Sequence, residues 1–190
     1  MSEHPSPPPT ADQVQAETQL WLEKAVIGLN LCPFAKSVHV NQRLRYVVSE
    51  AATPEALLKE LAHELLLLRR SDPEEIETTL LIHPQVLNDF LDFNDFLGAA
   101  DALVEDLELD GLLQVASFHP DYQFEGTEVE DISNYSNRSP YPTLHLLRES
   151  SIERAVETME DTDSIYEANI QTLEKLGLEG WKALGLKTRS

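Results

Sequence analysis

The chain has 190 residues, 42% of them hydrophobic, with 34 Asp plus Glu against 14 Lys plus Arg and a net charge of −20. A chain of this length buries roughly 70% of its unfolded surface, so it needs no disulfide, metal or partner merely to fold. A surface this negative repels phosphate backbones and anionic headgroups, which argues against nucleic acid and membranes as partners.

In chain order, Met1 to Thr10 holds four prolines, no cationic start and no apolar core, so residues 1–10 are expected to be a disordered tail, neither signal peptide nor anchor. Residues 11–190 read as one α/β domain. A first helix is expected over Ala11–Leu29, stopped by Asn30 and Pro33. Leu44, Tyr46 and Val48 alternate with Arg43 and Arg45 as a first strand. Thr53 caps and Pro54 starts a second helix carrying Leu57, Leu58, Leu61, Leu65 and Leu68, closed by Arg69 and Arg70.

Thr78–Ile82 is a short continuous apolar run, the mark of a strand buried on both faces, and His83-Pro84 ends it. A third helix follows from the stripe Val86, Phe90, Phe93, Leu97, Ala100, Val104 and Leu107, with Asp110-Gly111 as its stop. A third strand, Leu112–Phe118, again ends in His-Pro. A long irregular stretch, His119 to Pro142, leads to a fourth strand over Thr143–Leu147. Ser150 with Glu153 and Ser164 with Glu167 are capping-box patterns for two C-terminal helices. The order strand, helix, strand, helix, strand predicts a three-layer α/β fold with a small mixed sheet. Three parallel strands are joined by helical crossovers, an antiparallel place is open to the fourth, and extra helices lie at both termini.

Three segments stand out: Gly28 to Ala35 (GLNLCPFA), Ser117 to Phe124 (SFHPDYQF) and Asn137 to Arg148 (NRSPYPTLHLLR). On these the chain resembles a bacterial family, the domain of unknown function 1415, over nearly its whole length after the tail. The resemblance supports the domain boundaries and implies no catalytic assignment.

Ligands bind outside the carboxyl ends of strands in open α/β sheets, where His83 and His119 both fall. His145, about two residues into the fourth strand, is expected near the same edge. With Asp121, Glu125 or Glu128, these imidazoles form a candidate zinc or iron site with room for a water that attacks an ester, amide or phosphate. The spacing matches no named metal motif. The other readings are metal-free acid/base histidines and histidines that merely tie strand ends to their own backbone.

Cys32 is the chain's one cysteine, so no internal disulfide forms and a reducing cytoplasm is the expected location. With Pro33 opening a short turn behind it and Lys36 one turn on, helix amides would lower its pKa and make it a nucleophile or redox centre. The plainer reading is a small buried hydrophobe. Between Ser71 and Asn137 there are 17 acidic residues and neither Lys nor Arg, until Arg138 ends the run. Arg138, in a segment stiffened by Pro140 and Pro142, and Arg148 are candidates to bind a small anion. Tyr122 and Tyr141 are candidates to hydrogen-bond it. The plainer reading has Arg138 pinning the acidic loop.

No Gly-rich phosphate loop, nucleophile elbow or paired-cysteine motif occurs. The expected function is a metal- or His-dependent hydrolase of a small anionic substrate, with His83 and His119 as ligands or acid/base groups, Glu125 assisting and Arg138 orienting. Two rivals stay open: a thiol-dependent enzyme using Cys32, and a non-enzymatic binding or assembly protein.

Overall fold

The computed structural model describes residues 7–157 and 162–187. Residues 1–6 of the expected tail lie outside the described residues, and Pro7 to Pro9 lead into Thr10, whose side chain accepts from the Gln13 amide at 3.2 Å and caps the first helix. The chain forms α1 (Ala11–Trp21), α2 (Pro33–Val40), β1 (Leu44–Val48), α3 (Pro54–Arg70), β2 (Thr78–Ile82), α4 (Phe90–Asp106), β3 (Leu113–Phe118), β4 (Thr143–Arg148), α5 (Glu149–Glu157) and α6 (Thr162–Ala183). Among the described residues no helix is long and apolar enough to cross a membrane.

The first helix departs from the expected single α-helix. It winds as a π-helix over Leu22–Ile27, and a Cβ on Gly28 would lie 2.3 Å from the Lys24 carbonyl, so only glycine fits there. Asn30, at φ 53°, then turns the chain, and the expected short turn at Pro33 is α2, a full helix with Pro33 in its first turn.

The four strands form one open mixed sheet in the order β1-β2-β4-β3. β1 pairs parallel with β2, while β4 runs antiparallel to both β2 and β3, so β1, β2 and β3 point the same way but only β1 and β2 share a parallel ladder. β4 is thus the inner strand that separates β2 from β3. Its apolar residues are buried on both faces, which suits a central place.

Alternation sends side chains to two faces. Leu81, Leu144 and Leu146 join Leu57, Leu61, Leu65 and Leu68 of α3 and Phe93, Phe96, Ala100 and Val104 of α4 in the largest core cluster. Leu80 and Ile82 pack instead with Val14 of α1 and with Tyr141, and beside them Trp21, Val26, Leu173 and Trp181 form another cluster with Phe118 packed against it.

α4 begins later than the stripe suggested. Asp89 caps it by accepting from the Leu91 and Asp92 amides at 2.9 and 3.1 Å, which leaves Val86 in the preceding turn, and Phe96 rather than Leu97 is buried. α5 starts directly at Glu149 and α6 at Thr162, so Ser150 and Ser164 fall inside helices instead of capping them. α6 is broken by Gly177 at φ 65°.

Phe93 is fully buried. Phe93→Ala is expected to destabilise the domain by about 3 to 5 kcal/mol, the range for deleting a buried aromatic, measured by urea unfolding. A loss under about 1 kcal/mol would contradict the packing of α4 on the sheet.

Candidate functional site

β2 and β3 end in His83 and His119, and strand alternation turns both imidazoles to the α4 side, against Phe93. Ring centroids lie 5.6 Å apart for His83 and Phe93 and 5.0 Å apart for His119 and Phe93. Both histidines are fully buried. His83 Nδ1–H donates to the Val86 carbonyl at 2.9 Å, and its Nε2 is buried with no hydrogen-bond partner among the described residues. His119 Nε2–H donates to the Leu87 carbonyl at 3.1 Å while its Nδ1 accepts from the Asp121 amide at 3.0 Å.

These bonds assign the histidines a structural task. They hold the turn from Pro84 to Asn88, in which Leu87 takes a left-handed φ of 59° that costs a non-glycine residue energy. Burial pushes His83 down to about 4, opposed by its bond to Val86 and reinforced by His119. His119 has both ring nitrogens hydrogen-bonded to backbone groups.

His145 lies on the opposite face, where it lines a cavity with Cys32. Its Nε2–H donates to the Thr78 hydroxyl oxygen at 2.8 Å, that hydroxyl donates to the Leu146 carbonyl, and burial pushes the imidazole down to about 4. Among the described residues no group of three or more His, Cys, Asp or Glu side chains could hold a metal ion. The expected set of His83, His119, His145 and Asp121 is therefore not assembled, because alternation along β4 turns His145 away from the other two.

Cys32 stands at the N-cap of α2, as expected, but no hydrogen bond from its side chain caps the helix. Burial pushes the thiol up, and the smaller pull of the Ala35 and Phe34 amides does not reverse this. That corrects the expectation of a lowered pKa. The cavity it shares with His145, Phe34, Phe118 and Trp21 measures about 30 Å³.

The stretch from His119 to Pro142 is an ordered loop rather than an irregular one. Ile132–Asn137 forms a 3₁₀ turn capped by Asp131. Fully buried Asn134 accepts from the Phe124 amide and the Thr127 hydroxyl, both at 2.9 Å, and donates to the Glu128 carbonyl at 2.8 Å. Sequence reasoning passed over Asn134, since nothing local distinguishes a loop asparagine that faces inward. Tyr122 packs on Phe90 and Phe124, with centroids 5.3 and 5.0 Å away, and Glu125 is exposed.

Two arginines end with different tasks. Arg148 is buried and its Nη2 donates to the carbonyls of Leu68, Ser71 and Ile76 at 2.7, 2.9 and 2.9 Å, closing the C-terminal end of α3. These bonds fasten the end of β4 to the C-terminal end of α3 and the segment after it, and Arg148 is not among the residues that line the pocket beside Arg138. Arg138 Nε donates to the Tyr122 carbonyl at 3.1 Å and Nη2 to the Val129 carbonyl, and the guanidinium carbon lies 4.5 Å from the Tyr135 ring centroid. Among the described residues it forms no ion pair with a carboxylate, whereas Arg45 makes a two-pronged pair with Glu64 at 2.8 and 3.2 Å.

Arg138 borders a pocket of about 170 Å³ where β3 ends and β4 begins. Asp121, Lys187, Tyr135, Trp21 and Trp181 share its wall. Lys187 donates to the Tyr141 hydroxyl, which in turn donates to Glu17, and Lys187 also pairs with Glu17 at 3.3 Å. Burial raises the Glu17 carboxyl, but the bonds from Tyr141 and Gln13 and the charge of Lys187 outweigh it and hold the group below its ordinary value. Tyr141 thus ties α1 to the C-terminal segment. Of the expected ligand-binding residues the pocket gathers Arg138 alone, with Asp121 beside it. Lys187, Trp21 and Trp181 were passed over because their part depends on long-range packing.

One family model, described as protein of unknown function (DUF1415), matches residues 13–183. No curated protein and no solved structure matches the chain.

Two neutral imidazoles give the fold a pH signature. His83 and His145 fall from an ordinary 6.5 to about 4 on folding, so between those values the unfolded chain takes up a proton that the folded one refuses. Stability is complete above 6.5 and falls as the pH drops, by about 2 kcal/mol per group from pH 7 to pH 5. His83→Asn retains a donor for Val86 and should flatten the slope by about one proton. Urea unfolding at pH 7, 6 and 5 measures this, and an unchanged slope in the variant would show that His83 is protonated in the fold.

Proposed function

The chain belongs to the family described as protein of unknown function (DUF1415), and from that premise we propose that its pocket binds a small anionic molecule between Arg138 and Lys187. The observation that carries this reading is Arg138 itself. In a chain of net charge −20, it stands at a pocket wall with its donors on carbonyls and with no carboxylate pairing it among the described residues. The two carbonyl bonds hold the guanidinium in place, so a ligand anion gains a charged hydrogen bond without ordering a free side chain.

In this reading the domain has three layers, with α3 and α4 on one face of the sheet and α1 and α2 on the other. The pocket lies at the edge where open α/β sheets take ligands. Hydrolysis is the reaction class to test first. Asp121 borders the pocket and would take the proton of an attacking water, while Arg138 and Lys187 hold the developing negative charge. A cytoplasmic location, without nucleic acid or membrane as partner, accords with the net charge and the lone cysteine.

Calorimetric titration with acetate and inorganic phosphate tests the binding step. Arg138→Gln and Lys187→Gln should each weaken binding about ten- to a hundredfold, the worth of one hydrogen bond to a charged group. Unfolding curves of both variants report whether the loop is intact. Wild-type protein that takes up no small carboxylate or phosphate at millimolar concentration overturns the reading.

A second reading, thiol chemistry, is favoured by one observation: Cys32 and the neutral His145 line one cavity. His145 Nε2 is committed to Thr78, which leaves Nδ1 as the base for the thiol. With the thiol raised by burial, alkylation by iodoacetamide should be slow at pH 7 and quicken only above pH 9. A Cys32 that reacts at pH 7 faster than free cysteine would place this reading first.

A further inference from the structure

We infer that the ligand of the Arg138 pocket is a small aromatic anion, a single flat ring bearing one carboxylate or phosphate; this rests on the anion-binding reading above. The pocket joins two kinds of wall. Arg138 and Lys187 supply positive charge, while Trp21, Trp181, Tyr135 and Leu186 supply apolar surface. Trp21 and Trp181 are the chain's two tryptophans, so all of its indole lies at this place.

The aromatic groups are held firmly. Tyr135 and Trp181 meet edge to face with centroids 5.1 Å apart, and Trp21 meets Phe118 in the same way at 5.1 Å. Arg138 stacks on one face of Tyr135, its guanidinium carbon 4.5 Å from the ring centroid. An inorganic ion entering here would lose hydration against the apolar wall and recover it from Arg138 and from a lysine that already pairs with Glu17. A ring bearing the same charge keeps these contacts and adds apolar contact with Leu186, Tyr135 and the indole edges that line the pocket.

Size narrows the class further. A volume of about 170 Å³ is close to that of a cavity of about 150 Å³ that takes up a benzene ring. That suits one six-membered ring with one anionic group. Asp121, also on the wall, disfavours a second negative group at its end of the pocket.

The full chain tests this with benzoate, phenyl phosphate, cyclohexanecarboxylate, acetate and inorganic phosphate, titrated by calorimetry. Tryptophan fluorescence serves as a site reporter, because both indoles border the pocket. Benzoate and phenyl phosphate should bind about tenfold or more tightly than acetate and inorganic phosphate, the gain expected from aromatic contact and burial, and should quench the fluorescence. Cyclohexanecarboxylate should fall between them. Trp181→Leu should erase the preference for rings while retaining acetate binding, whereas Arg138→Gln should weaken every anion alike. Should Trp181→Leu fail to fold, the wild-type comparison already decides. Equal affinity for ring and non-ring anions overturns this inference and leaves the anion site standing, whereas absence of binding by any of the five overturns both.

Discussion

β4 is paired on both sides, to β2 through Thr143–Leu146 and to β3 along its whole length, and the placement of the candidate residues depends on that pairing. Its alternation sends Leu144 and Leu146 into the core under α3 and α4 and sends His145 to the cavity on the other face. Its last residue, Arg148, reaches the carbonyl end of α3. Just before it, the Pro142 carbonyl accepts from the His83 amide at 3.0 Å and the Asn137 carbonyl from the His119 amide at 3.1 Å. The strand therefore clamps the ends of β2 and β3 and draws Arg138 to the edge of the sheet.

Charge is distributed by the same logic. A guanidinium taken out of water needs partners for its donors, and this chain supplies them in two ways, although the buried Arg148 Nε has no partner among the described residues. Arg45 is matched by the carboxylate of buried Glu64, whereas Arg148 and Arg138 are held by backbone carbonyls. Carbonyls accept from a guanidinium without cancelling its charge. For Arg148, buried at the end of α3, that charge offsets the helix dipole. For Arg138, at a pocket wall, it remains available to a ligand.

The imidazoles follow a different rule. His83, His119 and His145 are packed among aromatic and aliphatic side chains, and each is bonded to a backbone or hydroxyl group that fixes one tautomer. Burial favours the neutral form, so His83 and His145 contribute shape and a single donor rather than a titrating proton. A His-Pro pair at a strand end thus has a structural use that does not need chemistry. It ties the emerging chain to the next turn.

What could be read from the sequence was what depends on neighbours along the chain. β1 and β2 follow from a run of five residues each, α3 from Thr53, Pro54 and its leucine stripe, and the α4 core face from Phe93, Ala100 and Val104, because strand and helix periods are local properties. Arg138 stood out from the charge pattern alone. The tertiary structure decided whatever rests on contacts distant in sequence: the insertion of β4 between β2 and β3, the face that His145 takes, and the carbonyls that hold Arg148. It also decided the meeting of Lys187, Trp21 and Trp181 around Arg138, groups up to 166 positions apart whose convergence no local period encodes. The π-helix at Leu22–Ile27 belongs there too, since its apolar spacing reads as an ordinary helix until packing imposes the wider turn.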